Sequence, residues 1–353
     1  MRYLSVDTSK QISKVGLGTW QFGSAEWGYG QPYAEREASA IVRRALELGV
    51  TLFDTAEIYS SGRSERILGR ALGDNWESTF VATKMWPTVL GASVVKRRAI
   101  ASAGRLGIPR IDLYQVHWPN PLARDATIMH GMRSLQRAGL VGEVGVSSYP
   151  LDRWRAAEDQ SGIRILSNQV AYSLVDRSPE RDLLPFAESH NHMIIAHSPL
   201  AQGLLSGRYH RAARPTNPVR ATSPLFHPHN LDRTSGLIAT LREVADAHGA
   251  TMAQAALAWA IRRPAVAAIP GASSVEQLER NVAAAEIELA DDEYQALNAA
   301  SARFGPGAGL DRSARSRLSA LRRNLSLLKH SGKGSWYVAK TAWEDHKLKR
   351  EDA

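Results

Sequence analysis

The sequence predicts an α/β chain folded as a (β/α)8 TIM barrel, and three observations carry that expectation. Eight short apolar runs rich in β-branched residues recur, a stretch of helical character follows each, and polar residues close the runs at their C-terminal ends. The runs are VGLGT (15–19), TLFDT (51–55), FVATK (80–84), DLYQVH (112–117), EVGVSS (143–148), LSNQV (166–170), MIIAHS (193–198) and VAAIPG (266–271). Near-continuous apolarity is what a parallel strand covered on both faces requires. Between the runs, ASAIVRRALELGV (38–50) places Ile41, Ala45 and Leu48 on one helical face and offers Gly49 as a C-terminal cap. SERILGRAL (64–72) opens with Ser64 as an N-cap candidate and Glu65 in its first turn. LDRWRAAEDQ (151–160) and TMAQAALAWAIRR (251–263) also read as helices. An open doubly wound sheet is the alternative, but eight strand–helix units suit closure better. Nearly seventy residues separate the seventh and eighth runs, and the Pro-, Arg- and His-rich part (207–230) predicts a long surface loop.

Composition narrows the functional classes. The 353 residues, 44% hydrophobic, suffice for a large core. No apolar run approaches the ~18–20 residues a membrane-spanning helix needs, so no integral membrane segment is expected. The first ten residues lack an apolar segment followed by a cleavage site, which predicts a cytoplasmic protein. With no cysteine, disulfides, thiolate metal sites and cysteine nucleophiles are excluded, and no metal is expected. The net charge of +9 is concentrated at one end: residues 305–353 hold eleven Lys/Arg against five Asp/Glu. The chain therefore divides into a barrel, 1–304, and a basic extension, 305–353. In the extension Leu318, Leu321, Leu325 and Leu328 fall on one face of a predicted helix, expected to dock on the barrel or on a second copy. Self-association is thus open, whereas no nucleic-acid module accompanies the basic charge and no nucleic-acid partner is expected.

In a barrel of this kind, chemistry gathers at the C-terminal ends of the strands. Asp54 ends the second run, with Tyr59 five residues on; Lys84 ends the third and His117 the fourth. Each has a plain alternative as a helix cap, a packed ring, a solvated amine or a structural imidazole. Together, in order and on consecutive strands, those alternatives require four coincidences.

The motifs GLGTWQFG (16–23), LFDTAEIY (52–59), VATK (81–84), DLYQVHWP (112–119), GEVGVSSY (142–149), NQVAYSLVDR (168–177), SPLAQGLLSG (198–207) and IPGASSVEQLERN (269–281) are arranged as in the aldo-keto reductase superfamily, which the chain resembles over residues 1–300. The first run only half-matches a dinucleotide glycine loop, since its third glycine is displaced and no helix follows directly. The resemblance implies hydride transfer between NAD(P)H and an aldehyde or ketone, with a small carbonyl compound as substrate. It implies that Tyr59 is the general acid, that Lys84 lowers its pKa from about 10, that Asp54 holds Lys84 charged, and that His117 orients the carbonyl. The cofactor residues implied are Gly18, Thr19, Trp20, Asp54, Ser147, Ser148, Gln169, His197, Ser198, Leu200, Gly203, Arg208, Gly271, Ser273, Gln277, Arg280 and Asn281. Ser148 and His197 depart from the family, which more often has Asn at the first and an aromatic ring at the second. Arg280 and Arg208 favour NADPH, without excluding NADH, because a guanidinium binds phosphate in a fork. Trp27, Trp86 and Trp118 are expected to line an apolar substrate pocket. A second class is a cofactor-sensing regulatory subunit like those of potassium channels; those relatives lack the histidine of the fourth strand, which His117 supplies here.

Overall fold

A computed structural model describes residues 1–23, 32–87, 91–120, 124–221 and 223–304. In chain order it contains β1 (Leu17–Gly18), α1 (Pro32–Glu47), β2 (Leu52–Asp54), α2 (Arg63–Leu72), β3 (Phe80–Met85), α3 (Ala92–Leu106), β4 (Ile111–Val116) and α4 (Asp125–Arg137). There follow β5 (Val141–Ser147), α5 (Leu151–Ser161), β6 (Ile165–Ala171), α6 (Leu183–Ser189), β7 (Met193–His197), α7 (Pro218–Ala221), α8 (Pro228–Ala247), α9 (Met252–Ile261), β8 (Val266–Ala268), α10 (Val275–Ala283) and α11 (Asp291–Phe304). Each of the eight apolar runs overlaps one strand. The predicted tail helix and Trp27 lie outside the described residues. Among the described residues no helix is long and apolar enough to cross a membrane.

The strands form one parallel sheet in sequence order, β1 to β8. The sheet then closes on itself through parallel bridges Val15–Ala268 and Gly18–Gly271. The Gly16 N–H donates to the Ala268 carbonyl at 2.8 Å, and the Ala268 N–H to the Lys14 carbonyl at 2.8 Å. Closure leaves no unpaired edge, which rules out the open-sheet alternative. The glycines of the first run allow close approach on both sides of β1, Gly18 at this seam and Gly16 at β2. A Cβ on Gly18 would stand 2.8 Å from the Ile269 oxygen, and one on Gly16 2.7 Å from the Leu52 oxygen.

The strand period of two sets the barrel's layers. Leu52, Phe80, Ala82, Leu113, Leu166, Met193, Ile195, Ala267 and Ile269 make a dry cluster, into which an N-terminal hairpin inserts Leu4 and Ile12. That hairpin is fixed by the Leu4 N–H donating to Ile12 and the Lys14 N–H to Arg2. Two residues further along the strands, the sequence becomes polar: Asp54 after Leu52, Lys84 after Ala82 and Gln115 after Leu113. The same alternation that builds the floor therefore delivers polar groups above it.

Two local expectations change. Ser64 is not a cap: α2 starts one residue earlier, with Gly62 at the N-cap position and no side-chain cap bond. The Ser64 hydroxyl instead donates to the Thr19 carbonyl at 2.8 Å and lies 3.0 Å from Thr55 Oγ1, tying α2 to the ends of β1 and β2. In the predicted loop, residues 208–217 are irregular, but Pro224 and Pro228 each begin a helical turn, and Pro228 opens the twenty-residue α8. Proline fits a first helical turn because its missing N–H has no partner to lose there.

Helix α2 carries the segment after Tyr59, so its seating matters. A Cβ on Gly69 would lie 2.0 Å from the Leu106 carbonyl oxygen at the end of α3. Gly69→Ala is expected to cost about 1–3 kcal/mol by forcing the two helices apart. Urea denaturation checks this; an unchanged midpoint would contradict the close contact.

Candidate active site

The barrel brings Asp54, Tyr59, Lys84 and His117 to one place at its C-terminal mouth. The Lys84 ammonium, wholly buried, donates to Asp54 Oδ1 at 2.6 Å, to the Thr55 carbonyl at 2.7 Å and to the Tyr59 hydroxyl at 3.3 Å. Three donors thus meet three acceptors, the condition under which a buried charge is tolerated. The second Asp54 oxygen accepts from Gln169 Nε2 at 2.8 Å, with Gln115 Nε2 at 3.5 Å. The His117 ring stands edge-on to the Tyr59 ring, centroids 5.8 Å apart. Its Nδ1 is buried and has no hydrogen-bond partner among the described residues.

Burial governs the charges. It disfavours ionised Lys84, but Asp54 and Tyr59 outweigh it and hold the amine above its ordinary pKa. Burial pushes the Tyr59 phenol up, and the Lys84 ammonium only partly opposes this. Lys84 thus acts in the expected direction, lowering the phenol's pKa, but loss of hydration together with the Asp54 carboxylate outweighs it. His117 is held well below the ordinary imidazole value, by burial first, then by Lys84 and His197. It is neutral at neutral pH.

Backbone strain collects on the same rim. Ser60, Ser61, Ser148, Ser198, Ala201 and Gln202 have φ between 47° and 59°, all beyond the C-terminal ends of strands. Such conformations cost on the order of 1–3 kcal/mol each and persist where the surroundings impose them, commonly at functional sites.

Most of the other residues singled out from sequence follow the C-terminal ends of the strands. The Ser147 hydroxyl and the Ser148 N–H both donate to the Gln169 carbonyl, at 2.8 and 3.0 Å. His197 ends β7, with Nδ1 3.3 Å from the Ser198 hydroxyl. Leu200 and Gly203 shape the following turn, where the Gly203 N–H donates to the Leu200 carbonyl and Gly203 has φ +93°. Beyond β8, the Ser273 hydroxyl donates to Gln277 Oε1 at 2.8 Å, and Asn281 Nδ2 to the Gly271 carbonyl at 3.2 Å. Gln21 joins this group to the first loop by donating to the Ala272 carbonyl. Arg208 and Arg280 are exposed, and their guanidinium groups form no hydrogen bond or ion pair among the described residues. Thr19 is buried rather than on the rim; its hydroxyl donates to the Asp54 carbonyl at 3.0 Å. Trp20 is exposed. Trp86 and Trp118 meet edge to face with centroids 4.3 Å apart, and Trp118 lies 4.8 Å from the His117 ring.

Three residues of the site escape a reading by motif alone. Gln115 carried a signal, a polar residue two before His117 and hence on the same strand face. Glu57 and Glu65 carried none: each is a carboxylate with little exposure, flanking Tyr59 in the chain and paired with Arg98 and Arg105 respectively.

The chain matches known proteins over most of its length. The model of the Aldo/keto reductase family matches residues 14–302. An uncharacterised oxidoreductase of Mycobacterium tuberculosis is 55% identical over 306 residues, covering 87% of this chain and 94% of that protein. The methylglyoxal reductase of Escherichia coli is 32% identical over 293 residues, covering 82% and 91%. Among solved structures, an aldo-keto reductase from Klebsiella pneumoniae in complex with NADPH superposes with TM-score 0.70 at 29% identity, covering 87% of this chain and 96% of that one.

Proposed function

The chain is an oxidoreductase of the aldo/keto reductase family, and from that premise we propose that it reduces aldehydes or ketones to alcohols with NADPH, Tyr59 giving the proton. The observation that carries this is the Lys84 ammonium, shared between Asp54 and the Tyr59 hydroxyl beside the edge-on ring of His117. Such a set answers the hard step of carbonyl reduction, which is charge developing on the oxygen.

The rim suits a dinucleotide. Ser147, Ser148 and Gln169 would hold the carboxamide; because Gln169 Nε2 is engaged by Asp54, its amide oxygen is the atom left to accept. His197 would lie against the nicotinamide, with Gly18, Thr19 and Trp20 near the first strand. Ser198, Leu200 and Gly203 would wrap the pyrophosphate. Gly271, Ser273, Gln277, Arg280 and Asn281, with Arg208, would take the adenosine and its phosphate, and the exposed Arg208 and Arg280 guanidinium groups favour NADPH. When bound, the reduced nicotinamide supplies hydride to the carbonyl carbon. Tyr59 then passes its hydroxyl proton to the oxygen, while Lys84 stabilises the phenolate left behind. His117 donates a hydrogen bond from its ring to the same oxygen and stays neutral. Trp86 and Trp118 offer an apolar wall, which excludes water.

The test is to follow NADPH and NADH consumption across a panel of aldehydes, ketones and quinones. Turnover faster with NADPH is expected. Cofactor binding without turnover of any panel member would overturn the reading.

His117 gives a pH signature. Its folded-state pKa is depressed, so the unfolded chain binds its proton first as pH falls. Stability therefore drops below about pH 6.5 through this residue. Catalysis, in contrast, should show no His117 limb between about pH 6 and 8. A limb in that window that vanishes in His117→Gln would contradict a neutral imidazole.

A further inference from the structure

The geometry points to Glu57 as a positioning residue that sets the Tyr59 phenol, a role that rests on Tyr59 being the proton donor. Glu57 lies two residues before Tyr59, with a side chain only 11% exposed. Its backbone N–H donates to the Lys84 carbonyl at 3.1 Å, joining the Tyr59 segment to the strand that carries the ammonium. Its Oε1 accepts from the Trp86 backbone N–H and from the Arg98 guanidinium on α3. One carboxylate oxygen thus fixes the Tyr59 segment, the end of β3 and the start of the tryptophan wall.

The far end of the same segment is held in the same way. Glu65, wholly buried, accepts from Arg105 Nε at 2.5 Å and from the Thr83 hydroxyl at 2.6 Å. Arg98 and Arg105 are seven residues apart on α3, two helical turns, and so share a face. Between the two clamped glutamates, Ser60, Ser61 and Gly62 are consecutively left-handed, with φ 48°, 54° and 78°. The Arg105 side chain runs directly over this turn: a Cβ on Gly62 would lie 2.6 Å from its Cδ. A turn with two strained serines relaxes when an anchor is released, and Tyr59 is the residue immediately before it. The phenol has little room to move, because its 3.3 Å contact with Lys84 is already at the long end of a hydrogen bond.

The experiment is a double-mutant cycle on the full-length protein, using NADPH and the fastest carbonyl substrate of the panel. Glu57→Ala is expected to lower kcat about 10–100-fold, the scale of a misplacement near 1 Å, with the NADPH Kd changed less than twofold. Glu57→Ala/Tyr59→Phe should be no slower than Tyr59→Phe alone, since a residue acting through the phenol has nothing left to act on. Glu57→Gln, whose amide oxygen still accepts from Trp86, should lose less than the alanine variant. A Glu57→Ala enzyme within twofold of wild type, or a double variant whose loss is the product of the two single losses, would overturn the role. If Glu57→Ala does not fold, Arg98→Met with Tyr59→Phe decides by the same criterion. Full activity in Tyr59→Phe by itself removes the proton-donor reading, and this role falls with it.

Discussion

Tyr59→Phe is expected to lower the turnover of carbonyl reduction by roughly 10²–10⁴-fold, the usual worth of a positioned general acid. The substitution removes one oxygen and keeps the ring that packs edge-on to His117. Lys84 retains Asp54 and the Thr55 carbonyl as acceptors, so the fold and the NADPH Kd should scarcely change. Burial keeps the phenol protonated at neutral pH, and the donor form is therefore fully populated. Stopped-flow single turnovers separate the chemical step from product release and give the loss directly. A Phe variant retaining most of its single-turnover rate would assign the proton to another group.

Lys84→Met should damage both stability and rate, for different reasons. The ammonium is wholly buried and pairs with a carboxylate that is itself only 2% exposed. Removing one member of a buried pair leaves an uncompensated charge, at a cost of about 3–5 kcal/mol. Turnover falls as well, because nothing then stabilises the phenolate. The double variant Asp54→Asn/Lys84→Met separates these effects: it should recover most of the lost stability and none of the activity, since a neutral pair needs no counter-charge. Urea denaturation and kcat measured on both variants test this. A single variant that loses less than about 1 kcal/mol would show that the pair is hydrated rather than buried.

The sequence by itself determined the barrel and the identity of its polar mouth. Strand periodicity is local, so DLYQVH announces both a buried strand and an inward His117, and TLFDT does the same for Asp54. Only the tertiary structure decided what surrounds them. That Gly18 is needed by the seam with Ile269, that Ser64 bonds Thr19 and Thr55 instead of capping α2, and that Glu57 and Glu65 are gripped by α3 all depend on segments far apart in the chain. The phenol's pKa is a case in point: an ammonium neighbour is legible in the order of motifs, but the degree of dehydration is not. Burial is a property of everything packed around a group, and no stretch of neighbouring residues encodes it.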